Sequence, residues 1–313
     1  MRVDGDLGRR EEGDTPVVLT IGNFDGVHLG HVALLEEVRA VAAECRAEAG
    51  VLTFNPHPRC VLDPPHCPPS LTTLAEKEDV LAGCGADRLV VLAFTRAVSG
   101  WGAEQFCDLL REAFDLRALV VGHDFVLGHK RQGDIAFLRD YGERHGIAVR
   151  QVGAVEGDGG VVSSSRIREL VMAGDVAGAA RLLGRPYFMD ARVEHGEQVG
   201  RQLGFPTANL SIAPDKCLPS PGVYAMWVRV GDTWHVAATN VGYRPTFGGD
   251  RLTVEAYLLD FSDDIYDREV RAVFVERLRE ERQYASIEEL VAQIGRDVEQ
   301  VRSLLAGARP PDL

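Results

Sequence analysis

The apolar periodicity of this chain changes once, near Gly184-Arg185-Pro186, and that change limits the folds open to it. Upstream, five apolar runs at 17–21, 51–54, 89–94, 119–121 and 148–152 are separated by stretches of helical spacing such as 103–114 and 134–145. After His31, for example, Leu34, Leu35, Val38, Val41, Ala42 and Cys45 recur at helical spacing with Glu36, Glu37, Arg39 and Glu44 between them. Strands alternating with helices imply βαβ units and a parallel sheet, an α/β fold. Residues 175–183 read as a short helix that stops before the proline, because proline disfavours helical geometry in its predecessor. Downstream the period drops to two: 223–230, 234–241, 252–259 and 270–275 read as strands, and a helical stretch at 287–305 closes the chain. About five or six such strands close more naturally into a small antiparallel β-barrel than into two full sheets. The expected domains are therefore 16–186 and 187–313, with 1–15 as a disordered tail, which suits a chain of 313 residues.

Charge narrows the partners. A formal net charge of -13 argues against nucleic acid and against an anionic membrane, so positive charge that meets a phosphate must be local. No stretch of eighteen or so apolar residues is present, and the first fifteen residues carry no apolar signal segment, so a cytoplasmic location is expected. The six cysteines form no Cys-x-x-Cys pair and read as reduced thiols. His57, Cys60, His66 and Cys67 cluster, but their spacing fits no common zinc module. Small molecules are the expected partners, with self-association into a homo-oligomer left open.

In parallel sheets, ligands bind beyond the carboxyl ends of the strands. The first run leads into Gly22-Asn23-Phe24-Asp25-Gly26-Val27-His28-Leu29-Gly30-His31. Glycines allow close approach to the backbone, and the orphan N–H groups and positive dipole end of the next helix favour an anion, so a phosphate is expected. His28 and His31 are placed to donate hydrogen bonds to it as charge builds during transfer. No Gly-Lys-Ser/Thr follows, which excludes a Walker A loop. Other strand ends carry His57, in Asn55-Pro56-His57-Pro58, and Asp124, in Gly122-His123-Asp124-Phe125. The fifth leads into Ser163-Ser164-Ser165-Arg166-Ile167-Arg168, the start of a helix expected to end at Gly174. Arg166 and Arg168 in a first helical turn oppose the dipole by roughly 0.3–1 kcal/mol each, a sign that a bound polyphosphate reverses.

The decapeptide resembles the Gly-x-Phe-Asp-Gly-x-His-x-Gly-His signature of adenylyl- and cytidylyltransferases with a Rossmann-like fold. The serine segment resembles the Ile-Ser-Ser-Thr-x-x-Arg motif of the same superfamily, with Ser165 in place of threonine. Together with Thr53-Phe54-Asn55-Pro56-His57-Pro58, Glu76-Lys77 and 121–128, their order is similar to that of bacterial bifunctional riboflavin kinase/FAD synthetases. His123 and Leu127 depart from the residues usual there, in the loop expected to hold adenine or flavin.

The second half carries Gly196-x-x-x-Gly200-Arg201-x-x-Gly204-Phe205-Pro206-Thr207-Ala208-Asn209. A threonine hydroxyl and an asparagine carbonyl are hard ligands suited to Mg²⁺, although Thr and Asn after proline also read as a turn with local side-chain bonds. The run resembles the Gly-Phe-Pro-Thr-Ala-Asn motif of riboflavin kinases, and Asn240 and Val254-Glu255 follow in that family's order. In the alternating run, Leu252, Val254, Ala256 and Leu258 share one face, and Thr253, Glu255 and Tyr257 the other.

The resemblance implies two reactions, phosphorylation of riboflavin by ATP to FMN and adenylyl transfer from ATP to FMN giving FAD and pyrophosphate, both with Mg²⁺. It assigns catalysis to His28, His31, Arg166 and Arg168 in the first domain and to Glu255, as general base, in the second. ATP and flavin contacts are implied for Gly22, Asn23, Phe24, Asp25, Gly30, His57, Asp124, Ser164 and Ser165. In the second domain they are implied for Gly196, Gly200, Arg201, Gly204, Phe205, Pro206, Thr207, Asn209 and Asn240, with Thr207 and Asn209 holding the metal. A monofunctional kinase or a flavin-binding regulator with one decayed site would lack a histidine, Thr207, Asn209 or Glu255, and none is missing. A nucleotidyltransferase for another substrate, such as pantetheine phosphate, would not carry the kinase motif.

Overall fold

The computed structural model describes residues 1–10, 13–196, 200, 203–246 and 249–311, so Arg201 lies outside the described residues. The chain forms two compact units, Met1–Pro69 with Leu74–Val162, and Ser70–Thr73 with Ser163–Leu313.

In the first unit, β1 (Arg2–Asp4), β2 (Val17–Ile21), β3 (Glu48–Asn55), β4 (Arg88–Ala93), β5 (Leu116–Gly122) and β6 (Ala148–Val152) pair in parallel in the order β1-β4-β3-β2-β5-β6. The helices are α1 (Leu29–Cys45), α2 (Pro58–Leu62), α3 (Leu74–Gly83), α4 (Ala103–Ala113) and α5 (Ile135–His145), and a short hairpin of β7 (Glu156–Gly157) and β8 (Gly160–Val161) follows the sheet. Period-two alternation in β2 builds a core on each face. Val17, Leu19 and Ile21 pack with Phe106, Leu110 and Tyr141 of α4 and α5, while Val18 packs with Leu35, Val38 and Leu81 of α1 and α3. The chain runs outward from β2 through β3 and β4, then crosses to β5 on the other side of β2. Such a switch point opens a crevice at the carboxyl ends of the two strands, where the decapeptide and Gly122-His123-Asp124 stand.

Two expectations are corrected here. Arg2–Asp4, placed by the sequence in a disordered tail, is an edge strand: Arg2 N–H donates to Asp87 O at 2.8 Å, and Asp4 pairs with the buried Arg88 at 2.6 Å. Cys60 and Cys67, read as reduced thiols, form a disulfide, because α2 and the turn after it bring their Cα atoms to 4.3 Å. Cys107 is a buried thiol whose pKa is pushed up to about 12 by desolvation, with Asp108 and Glu104 adding to the rise.

The second unit opens with α6 (Ser164–Ala173) and α7 (Val176–Leu183). A closed antiparallel barrel follows, built from β9 (Phe188–Glu194), β10 (Ala208–Ser211), β11 (Gly222–Val230), β12 (Thr233–Thr246), β13 (Gly249–Leu258) and β14 (Glu269–Arg279), in the order β10-β13-β12-β11-β14-β9, and α8 (Ile287–Leu305) ends it. Val254, Ala256 and Leu258 of β13 are buried, as their alternation requires, with Thr239 and Ala237 opposite Ala256 and Leu258. Gly174, at φ 84, ends α6 where a side chain would meet Ser220, Tyr224 and Arg277, so the packing groups α6 and α7 with the barrel, upstream of the change of periodicity. Ser70–Thr73 joins the same unit. Ser70 N–H donates to Asp215 O at 2.7 Å, and the buried Lys216 donates to Leu71 O at 2.8 Å while lying 5.0 Å from the Tyr187 ring centroid.

Candidate active sites

The decapeptide makes a strained turn that ends in a reciprocal cap. Phe24 and Val27 adopt φ of 47° and 41°, a region that side-chain-bearing residues seldom enter and that costs on the order of 1–3 kcal/mol each. His28 is the N-cap of α1: His28 Nδ1 accepts from His31 N–H at 3.4 Å, and His31 Nδ1 accepts from His28 N–H at 3.3 Å. A ring nitrogen that accepts carries no proton, so each neutral imidazole holds its proton on Nε2 and presents a donor there. The two rings stack at 3.7 Å, and the buried Phe24 ring lies 4.8 Å from that of His31.

Neighbouring glycines keep this stack in place. A Cβ on Gly30 would stand 3.1 Å from His28 Cε1, and one on Gly22 would stand 3.1 Å from the Phe24 ring. Asn23 turns its carbonyl inward, accepting from Thr53 Oγ1 at 3.0 Å and Lys77 Nζ at 2.8 Å, and Asp25 is buried beside it. Desolvation lowers the Lys77 pKa, and the Asp25 carboxylate opposes that fall. His57, beyond β3, caps α2 by accepting from Arg59 N–H at 3.1 Å. Asp124, beyond β5, is exposed and lies 3.8 Å from His123.

Ser163 caps α6 by accepting from Arg166 N–H at 3.4 Å, which places Ser164, Ser165, Arg166 and the buried Arg168 in its first turns as the spacing predicts. These residues belong to the second unit.

The barrel organises its polar residues differently. Asn209 pairs with Glu255 between β10 and β13, and Glu255 pairs with Asn240 between β13 and β12, so the three side chains stand in a row on one face of adjacent strands. A cavity of about 410 Å³ opens on this face, lined by Thr207, Asn240 and Glu255 with Phe205 and Tyr257, whose rings meet edge to face at 5.5 Å. Phe205 N–H donates to Gly200 O at 2.8 Å, Gly204 stands at φ 85, and Pro206 is exposed after it. Side chains at Gly196 and Gly200 would collide with the Asn209 carboxamide and the Phe205 carbonyl, respectively. Asn209 is therefore close to Glu255 without lining the cavity. Among the described residues no group of three or more His, Cys, Asp or Glu could cage a metal, and the Thr207 hydroxyl and Asn209 carbonyl are hard oxygen donors of the kind Mg²⁺ takes.

The opposite wall of the cavity was not anticipated from the sequence. Arg279 at the end of β14 and Arg282 and Tyr284 beyond it line the cavity together with Leu290, Ile294 and Asp297 of α8. Asp297, almost fully buried, accepts from Arg279 Nη2 at 2.7 Å and from Gln293 Nε2 at 2.7 Å, and this pairing raises the Arg279 pKa against the effect of its burial. The available signal was a pair of polar residues, Gln293 and Asp297, on the apolar face of an amphipathic helix.

The fold thus joins an α/β unit, with two histidines at a helix N-terminus beside the switch point of its sheet, to a β-barrel unit with a carboxylate facing a cavity. Residues 10–166 match the FAD synthetase family, and residues 183–305 match the riboflavin kinase (flavokinase) family. A bifunctional riboflavin kinase/FMN adenylyltransferase of Pseudomonas fluorescens is 41% identical over 292 residues, covering 92% of this chain and 93% of that one. The protein of the same description from Escherichia coli (strain K12) is 36% identical over 295 residues, covering 94% of each. A solved Streptococcus pneumoniae structure, described as a macrolide-efflux protein, superposes with a TM-score of 0.89 at 30% identity, covering 96% of this chain and 99% of that one. Among the described residues no helix is long and apolar enough to cross a membrane. The chain belongs to the bifunctional riboflavin kinase/FMN adenylyltransferase family. It converts riboflavin to FMN and FMN to FAD, using ATP in both steps.

Proposed function

We propose that the two reactions divide between the decapeptide and the barrel cavity, with the following residue roles. In adenylyl transfer a phosphate oxygen of FMN attacks the α-phosphorus of ATP; the new P–O bond forms as the bond to pyrophosphate breaks. FMN supplies the nucleophile already ionised, so the chain needs donors rather than a base. His28 and His31 direct Nε2–H toward the charge that moves onto pyrophosphate, and Gly22, Gly30 and the N-terminus of α1 let the phosphates approach. The roles proposed for Ser164, Ser165, Arg166 and Arg168 in the same transfer, and for Asn23, Phe24, Asp25, His57 and Asp124 around the nucleotide and flavin, rest on the family motifs.

In riboflavin phosphorylation, Glu255 accepts the proton of the ribityl 5′-hydroxyl as that oxygen attacks the γ-phosphorus and ADP leaves. The flavin ring suits the aromatic part of the cavity, and Asn240 and Asn209 orient the carboxylate from either side. Bound Mg²⁺ would neutralise triphosphate charge, with Thr207 and Asn209 as its protein ligands. We place both reactions in the cytoplasm, where ATP is supplied. The single observation that carries the kinase assignment is Glu255 lining the cavity beside Asn240, its register partner on β12. Incubating the protein with riboflavin, ATP and Mg²⁺, with and without Asn240→Ala, tests it. FMN formation is expected to fall while adenylylation of supplied FMN persists, and unchanged FMN formation would remove that pairing from the mechanism.

A further inference from the structure

We propose that Lys77 and Thr53 are positioning residues for adenylyl transfer, acting together as a clamp on the Asn23 carbonyl that holds the catalytic imidazoles in line. The inference rests on the reading of His28 and His31 as phosphate donors.

Lys77 comes from α3 and is buried, an expensive place for an ammonium unless it is bonded. Its Nζ donates to Asn23 O at 2.8 Å and reaches Thr53 Oγ1 at 3.4 Å, while Thr53 Oγ1 itself donates to Asn23 O at 3.0 Å. One carbonyl oxygen thus receives two donors from residues that lie far from it in sequence. That carbonyl belongs to the peptide joining Asn23 to Phe24, the plane from which the φ of Phe24, 47°, is turned, so holding it restrains that unusual φ. The unusual φ aims the Phe24 ring into the core, fully buried and 4.8 Å from His31, and His31 stacks on His28 at 3.7 Å. The contacts therefore run without a gap from Lys77 and Thr53, through one peptide plane and one phenyl ring, to both imidazoles. Burial lowers the Lys77 pKa, and the carboxylate of Asp25, itself buried, opposes that fall. A lysine that merely filled space would need neither the shared acceptor nor the buried carboxylate.

The test uses full-length Lys77→Met and Thr53→Val, with His31→Ala in parallel, and measures FAD formation from supplied FMN, ATP and Mg²⁺. Riboflavin phosphorylation and thermal melting are measured on the same preparations. Lys77→Met is expected to lower kcat for FAD roughly 10- to 100-fold, as misplacement of catalytic groups by about 1 Å does. KM for ATP should change by less than about threefold, because the groups act on the transition state. Thr53→Val should lower kcat by about three- to tenfold, since one donor of two remains. A kcat within about twofold of the parent in both folded variants overturns the proposal. If Lys77→Met does not fold, Thr53→Val decides alone by the same criterion. Loss in His31→Ala without loss in the clamp variants refutes only this inference; an unaffected His31→Ala refutes the reading beneath it.

Discussion

The two candidate sites hold their chemistry in opposite ways. In the first unit the working groups sit on a turn with positive φ at Phe24 and Val27, kept in place by a reciprocal cap and by bonds from β3 and α3. In the barrel, Asn209, Glu255 and Asn240 project from three hydrogen-bonded strands whose register alone sets their spacing. On the proposed assignment of the reactions, the difference follows from what each one demands. Adenylyl transfer to an ionised phosphate needs donors at a helix N-terminus, where loop and helix must meet. Phosphorylation of a neutral hydroxyl needs a base at a fixed place, which a strand supplies with little reorganisation.

Breaking each site separately sharpens that contrast, and the largest effect is expected in the barrel. Glu255→Gln keeps the shape and removes the basicity, and should lower riboflavin phosphorylation roughly 100- to 10,000-fold, measured as FMN by chromatography. His28→Ala or His31→Ala should lower FAD formation on the order of 100- to 1,000-fold with FMN still accumulating. Wild-type turnover of the glutamine variant would make Glu255 a solvated carboxylate.

Smaller substitutions compare how much each scaffold yields. Gly196→Ala forces the Asn209 carboxamide aside, and should reduce kinase kcat by about tenfold. Gly30→Ala meets only the edge of the His28 ring, 3.1 Å away, and should reduce FAD formation by about threefold. If the order reversed, the strand-borne site would be the more tolerant one. Smallest in activity and visible in melting is the choice of fragment. A fragment of residues 163–313 keeps α6 and α7 against the barrel, whereas 187–313 loses them. The shorter fragment should melt roughly 5–10 °C lower, corresponding to about 1–2 kcal/mol for a domain of this size.

Much of this contrast was legible in the sequence, for identifiable reasons. The histidine pair, Ser164 to Arg168 and the face carrying Glu255 follow from residue type and local period, and both are short-range properties. The α/β half and the barrel were legible because 3.6- and 2-residue periods differ over long stretches. What was not legible depended on distant pairing. Lys77 is 54 residues from Asn23, the carbonyl it grips. Arg279 and Asp297 meet only when α8 closes over the barrel. Strand β1 pairs with β4, far along the chain, where Arg88 also meets Asp4, and Cys60 meets Cys67 because α2 turns the chain back.

If the two candidate sites work independently, FMN made at the barrel reaches the first unit as a diffusible product. The most direct measurement incubates riboflavin, ATP and Mg²⁺ with Glu255→Gln alone, with His31→Ala alone and with an equal mixture, resolving riboflavin, FMN and FAD by chromatography. Unreacted riboflavin is expected in the first, FMN without FAD in the second, and FAD in the mixture. Loss of FMN formation in His31→Ala, or a mixture that stops at FMN, would contradict that independence.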